Sequence, residues 1–252
     1  MTIDDIITRL TTIVRDARHT GNRAGYFAAL YRIVTIEVQA GIARGDFADG
    51  PRMERLDVLF ARRYLDAYDG WRSGRPISGS WRVAFAAVDN PALIILQHLM
   101  AGMNAHINLD LGVAAAQVAP GAALQGLQGD FNRINDLLVS LVDEVKSGIV
   151  SVSPAIGRLE ELAGTADDVL VEFSLKKARA FAWDEARQLA PLSEWARHPM
   201  IVGRDLLATV VGKAVLSPPP VTAAVVAAIR REESQDVARV MDVLSARHPL
   251  PA

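Results

Sequence analysis

In HLMAGMNAHINLDLG, residues His98 to Gly112, the polar side chains Asn104, His106, Asn108 and Asp110 stand at every second position. Met103, Ala105, Ile107, Leu109 and Leu111 lie between them. Imidazole, carboxamide and carboxylate in one apolar setting are groups that move protons, orient ligands and hold metal ions. Period-two alternation suits a strand with one polar face, and N-x-H-x-N-x-D-x-G invites comparison with a calcium loop. Such a loop needs a glutamate at its twelfth position, and counting from Asn104 that position holds Ala115. The flanks ALIILQHLMA and AAAQVA are helix formers, so the segment is predicted to be a helix that can break near Gly102 or Gly112.

On an α-helix, His106 and Asp110 are neighbours one turn apart, offset by about 40°. His98 falls on the same side, about 80° from His106, with Gly102 between them. Asn104 and Asn108 form a second stacked pair, roughly opposite. Gly102 costs about 1 kcal/mol relative to alanine in a helix, which predicts that something comes close to the backbone there. Each buried polar group left unpaired costs about 1–3 kcal/mol, so these side chains need partners. LDVLFARRYLDAYDGW offers Asp57, Arg63 and Tyr64 on one side of a helix, and GDFNRIND offers Asp130, Arg133 and Asn135.

Three chemistries fit these residues. In the first, His98, His106 and Asp110 ligate a divalent metal such as zinc, whose open position activates water for hydrolysis. Asp57 or Asp130 then completes the shell or serves as general base. In the second no metal is bound. His106 is an acid or base oriented by Asp110, and Arg63, Asn104, Asn108 and Asn135 hold a small molecule, Arg63 by gripping carboxylate or phosphate. Trp71 and Trp81, which flank a Gly/Ser loop, then form a lid. In the third the cluster is a satisfied hydrogen-bond network that fixes helix register in an interaction module. The preferred expectation is an enzyme acting on a small molecule, hydrolytic if a metal is bound.

The elements that must position these groups read as helices. Apolar residues recur at three- and four-residue steps over 3–19, 23–43 and 51–70, closing at Gly21, Gly45 and Gly70. A short helix follows at 81–88, and a long apolar one at 91–118. Further helices are predicted at 131–150, about 153–163, 166–190, 199–216 and 220–246, punctuated by Gly164, Pro191, Pro199 and the SPPP run. No alternating β-branched run bounded by hairpin turns is present. The expected architecture is all-α, a single domain over 1–252 of about eight to ten helices, with 220–246 as a candidate peripheral element.

Bulk composition narrows the partners. The chain has 252 residues, half of them hydrophobic and 22% charged, with a formal net charge of −2 and no cysteine. Disulfides, thiolate catalysis and iron–sulfur clusters are excluded. The charge gives no electrostatic case for nucleic acid or an anionic membrane. MTIDDIITRL lacks the basic start of a signal peptide, and Gln97, His98, Asn104, His106 and Asn108 interrupt the longest uncharged stretch. A cytoplasmic protein with a small-molecule ligand, and neither nucleic acid nor membrane as partner, is expected.

HLMAGMNAHINLDLG, with YFAALYRIVT, MERLDVLFARRYL and KARAFAWDEARQLA, resembles a family of helical bacterial proteins, common in actinobacteria, known as a domain of unknown function. The specific part is H-x3-G-x-N-x-H-I-N-x-D-L, here His98, Gly102, Asn104, His106, Ile107, Asn108, Asp110 and Leu111. The resemblance implies an all-helical fold and supplies no reaction. The layout is also similar to the helical zinc-dependent phospholipase C and S1-type nuclease group, with departures. Met103 stands where their aspartate follows the glycine, and their N-terminal tryptophan ligand has no counterpart.

Overall fold

The computed structural model describes residues 1–158 and 175–251. Among them are eleven α-helices and no strand. In chain order these are α1 (Ile3–Thr20), α2 (Ala24–Arg44), α3 (Gly50–Arg72), α4 (Gly79–Ala86), α5 (Ile95–Ala105), α6 (Gly112–Val118), α7 (Ala123–Val152), α8 (Leu175–Leu189), α9 (Glu194–Leu216), α10 (Pro220–Glu232) and α11 (Val237–Leu244). A π-helical segment, His106–Leu111, joins α5 to α6 without a break.

Local chemistry sets the ends. Thr2 and Asp5 form a reciprocal capping box at the start of α1, and α1 and α2 stop at Gly21 and Gly45, both left-handed. Asp49 caps α3, with Pro51 in its first turn. Three expectations need correction. The helix placed at 199–216 starts at Glu194 and runs through Pro199, which forfeits one backbone bond near the helix start. The helix placed at 220–246 is two, because Glu233 leaves the helical path and its carboxylate accepts the Ile95 N–H at 2.9 Å, capping α5. The long helix at 91–118 begins only at Ile95 and carries the π segment. Of the helices placed at 153–163 and 166–190, residues 159–174 lie outside the described residues.

The run α5–π–α6 is buried on almost every side, as expected of a helix apolar all round. It is the axis against which α2, α3, α4, α8 and α9 pack. Around its first half the core is aromatic, with Tyr26, Phe27, Tyr31, Tyr64, Trp81 and Phe85. Around its second half the core is built of small side chains, Ala114, Ala115 and Ala116 against Ala178, Ala182 and Ala186. At Gly112 a Cβ would stand 2.7 Å from the Ala182 carbonyl oxygen, so glycine is what lets α8 close onto the axis. The C-terminal α11 is not peripheral, since Val240, Met241 and Leu244 are buried in the same core as α1 and α2. No single described helix is long and apolar enough to cross a membrane.

The close approach expected at Gly102 is made by Phe27, whose Cγ would lie 2.6 Å from a Cβ placed there. Phe27 is itself wedged among Tyr31, Tyr64 and Trp81, with ring centroids 5.1–5.8 Å away. Alanine at this position gains about 1 kcal/mol of helix propensity, but overpacking costs about 1–3 kcal/mol. Because Phe27 is held by the rings around it, Gly102→Ala is expected to lower stability by about 1 kcal/mol in urea denaturation. A gain in stability would show that the core yields there.

Candidate functional site

The π segment is the local origin of the site. Its backbone bonds close from i to i+5 rather than i to i+4, so the turn is wider and residues four apart fall nearly in line. Asp110 thereby sits under His106, with 3.5 Å between Oδ2 and Nδ1. Two donors hold the Asp110 carboxylate: Arg63 Nε from α3 at 2.7 Å on Oδ1, and Trp81 Nε1 from α4 at 2.8 Å on Oδ2. Trp81 is placed by a cap on its own helix, where Asp205 of α9 accepts the Gly79 and Ser80 N–H groups and the Ser80 hydroxyl.

His106 is buried in a box of rings. Phe60 stacks face to face on it with centroids 3.5 Å apart, and Tyr31 meets it edge-on at 4.4 Å. Phe27, Tyr64 and Trp81 surround it at 5.6–6.2 Å. Of these five rings, Phe60 alone is not fully buried. Burial pulls the imidazole pKa below its ordinary value, with the Asp110 carboxylate pulling the other way, so the ring is neutral. Neither ring nitrogen makes a hydrogen bond with a described residue, nor do the hydroxyls of Tyr31 and Tyr64 or Oδ2 of Asp57. Burial raises both phenols, and the negative charges of Asp57 and Asp110 raise Tyr31 further. Burial also pushes the Asp57 carboxyl up to about 7, helped by Glu54.

The other residues singled out from sequence have different surroundings. Asn104 donates to the Ala208 carbonyl of α9 at 2.7 Å and accepts from Asn108 at 2.9 Å, so this pair ties the axis to α9. Asn135 is far from His106 in its partners, accepting from Arg179, which also bonds the Phe131 carbonyl and lies over that ring. Asp130 caps the start of α3, accepting the Ala48 and Asp49 N–H groups and pairing with Arg52. Trp71 and Trp81 form no lid: Trp71 stacks on Phe85, and Trp81 is core.

His98 also stands apart from His106. It meets Tyr26 edge-on at 5.8 Å and lines a cavity of about 20 Å³ with Arg23, Phe27, Tyr64 and Trp81, room for about one water molecule. Burial, with Arg23 and Arg230 nearby, lowers its pKa to about 3. The ligand set expected of His98, His106 and Asp110 is therefore not assembled. Phe27, packed onto Gly102 between the two histidines along the helix, fills that space with hydrocarbon, and the Asp110 oxygens are already taken by Arg63 and Trp81. Among the described residues no three histidine, aspartate or glutamate side chains gather to hold a metal ion.

Sequence reasoning missed two charged neighbours. Glu185 of α8 is buried beside Gly112, and Arg204 of α9 donates to the Asn108 carbonyl at 2.8 Å. The signals were present: a glycine in a buried helix asks what lies against it, and Arg204 and Asp205 are adjacent charges in an otherwise apolar run. Phe60 and Tyr31 read as core, which they are, and only the ring geometry ties them to His106.

The model of the family of unknown function DUF5995 matches residues 3–218, and the chain belongs to that family. No curated protein and no solved structure matches it.

Asp57 has a raised folded pKa, so the folded state holds its proton more tightly than the unfolded one between the ordinary carboxylate pKa and about 7. Its contribution is fully present at low pH and is lost as pH rises through that window. Asp57→Asn, which cannot ionise, is expected to match wild type near pH 5 and to be more stable near pH 8, by on the order of 3 kcal/mol. Equal stability differences in urea titrations at the two pH values would contradict a buried, protonatable Asp57.

Proposed function

We propose that this member of a family of unknown function is a metal-free enzyme that binds a small molecule and moves a proton on it, with His106 as the acid–base group. The observation that carries the reading is a set of buried polar atoms without a partner among the described residues at one imidazole and the rings around it: His106 Nε2 and the Tyr31 and Tyr64 hydroxyls, with Asp57 Oδ2 near Tyr31. Each such atom costs about 1–3 kcal/mol, and native proteins keep few of them. Their gathering at a π-helical turn, a feature frequent at functional sites, supports a site built for a ligand.

The chemistry comes from the geometry. Asp110 faces Nδ1, which favours the tautomer with its proton on that nitrogen and leaves Nε2 free to take a proton from substrate. Arg63 and the Trp81 indole spread the carboxylate charge, so Asp110 orients the imidazole and stabilises its protonated form without forcing it to stay charged. With its pKa lowered by burial, the imidazole is neutral at physiological pH and able to accept a proton. The neighbouring phenols, held in their protonated form, donate hydrogen bonds to an oxygen on which charge develops. Phe60 covers the imidazole on its solvent side, so a ligand reaches His106 by displacing that ring. Zinc-dependent hydrolysis, the other chemistry considered, has no gathered ligand set to support it.

His106→Phe separates this reading from a purely structural network. A phenyl ring keeps the stack on Phe60 and removes the unpaired Nε2, so the variant is expected to gain about 1 kcal/mol in thermal or urea melts while losing proton-transfer activity. A loss of several kcal/mol would instead mean that the imidazole is a satisfied member of a packing network, and would overturn the proposal.

A further inference from the structure

Beside Asp110, α3, α8, α9 and the π segment bring together a second group of charges. Glu185 is buried, and neither of its carboxyl oxygens makes a hydrogen bond with a described residue. Its nearest cation is Arg204, with Nε 3.5 Å from Oε2. Arg204 spends Nε on the Asn108 carbonyl, and its buried Nη2 has no partner among the described residues. Arg63 likewise bonds Asp110 through Nε. The terminal edges of two guanidinium groups, which are the edges that grip a carboxylate with two parallel bonds, are thus left unused beside a poorly paired acid. Both arginines reach solvent, at 28% and 21% side-chain exposure.

The surroundings say what kind of anion fits. Arg204 lies over the Phe181 ring at 5.9 Å, and Phe181 is 58% exposed. Leu207, one turn along α9 from Arg204, is 62% exposed. Apolar side chains therefore flank the Arg204 guanidinium. The charges facing Glu185 are Arg204 from α9, Arg63 from α3 and Asp110 from the π segment. With Glu185 protonated, two cations face one carboxylate, and a single negative charge balances the group. Burial holds the Glu185 carboxyl up to about 7 against the lowering effect of Arg204 and Arg63.

We propose that Arg63 and Arg204 bind the carboxylate of an apolar organic monoanion, whose hydrocarbon part lies on Phe181 and Leu207. The inference goes beyond the proposed function: it assigns a second, anion-binding site that does not rest on the acid–base role of His106. Entry of the anion is coupled to a proton on Glu185, so binding tightens as pH falls through neutrality.

Isothermal titration calorimetry with sodium octanoate and sodium acetate on the full chain tests this directly. Octanoate is expected to bind at least about tenfold more tightly than acetate, since its buried methylenes each add to affinity. Its affinity is expected to fall about tenfold between pH 6 and pH 8, the change set by a carboxyl near 7. Arg204→Gln should weaken octanoate by about tenfold or more. Glu185→Gln should keep the binding and abolish its pH dependence, which tests the proposal even if the arginine variant folds poorly. No heat from octanoate with the folded wild-type chain, or affinity and pH dependence unchanged in Arg204→Gln and Glu185→Gln, overturns the inference.

Discussion

A carboxylate cannot be carried into a protein core alone; the desolvation it suffers must be met by charge and hydrogen bonds. At Asp110 the two donors that meet it come from different helices, Arg63 from α3 and Trp81 from α4. The contact therefore does more than satisfy one side chain. It clamps α3 and α4 onto the central axis, brings Phe60 and Tyr64 over His106, and fixes the indole that closes the aromatic box. Removing either donor leaves a buried charge half paired, and the arrangement of rings around the imidazole loses its anchor.

The buried polar groups divide into two populations with different energetics. Gln97, Asn104, Asp130 and Arg179 are all bonded to backbone groups of other elements, and each ties two parts of the chain together. Such groups give back what their burial costs. Around His106 and Glu185 the polar atoms are buried at similar depth without that return. Proteins give up stability in this manner where a reaction or a ligand requires groups held ready rather than satisfied. Asn104 and His106 stand within one turn of each other on the central axis and are both buried, so depth of burial does not account for the contrast.

The helical fold was legible because it rests on periodic apolar spacing and on glycine and proline stops, both local properties of the chain. Gly21 and Gly45 end helices as their position after the last apolar step requires. The failures were non-local. Nothing within residues 220–246 says that Glu233 is wanted at the start of α5, and that demand from another element is what divides the helix. Within the site, Arg63 could be paired with Asp110 on chemistry alone, whereas the choice between Asp57 and Asp130 as neighbours, and the presence of Glu185, depended on how helices distant in sequence pack. The separation of His98 from His106 was hidden for a related reason. An α-helical projection puts both on one side, and only the Phe27 ring seated on Gly102 shows that hydrocarbon occupies the room between them.

The wider turn at His106–Leu111 has a bearing on how relatives of this chain should be aligned. A π turn amounts to a single inserted residue in an α-helix, and each residue of an α-helix turns the next side chain by about 100°. A relative one residue shorter between its counterparts of Ala105 and Gly112 would keep every residue type yet swing its aspartate and its glycine onto new headings, away from Trp81 and from α8. Length across this short stretch, more than percentage identity over the whole chain, therefore decides whether a relative can hold the same arrangement.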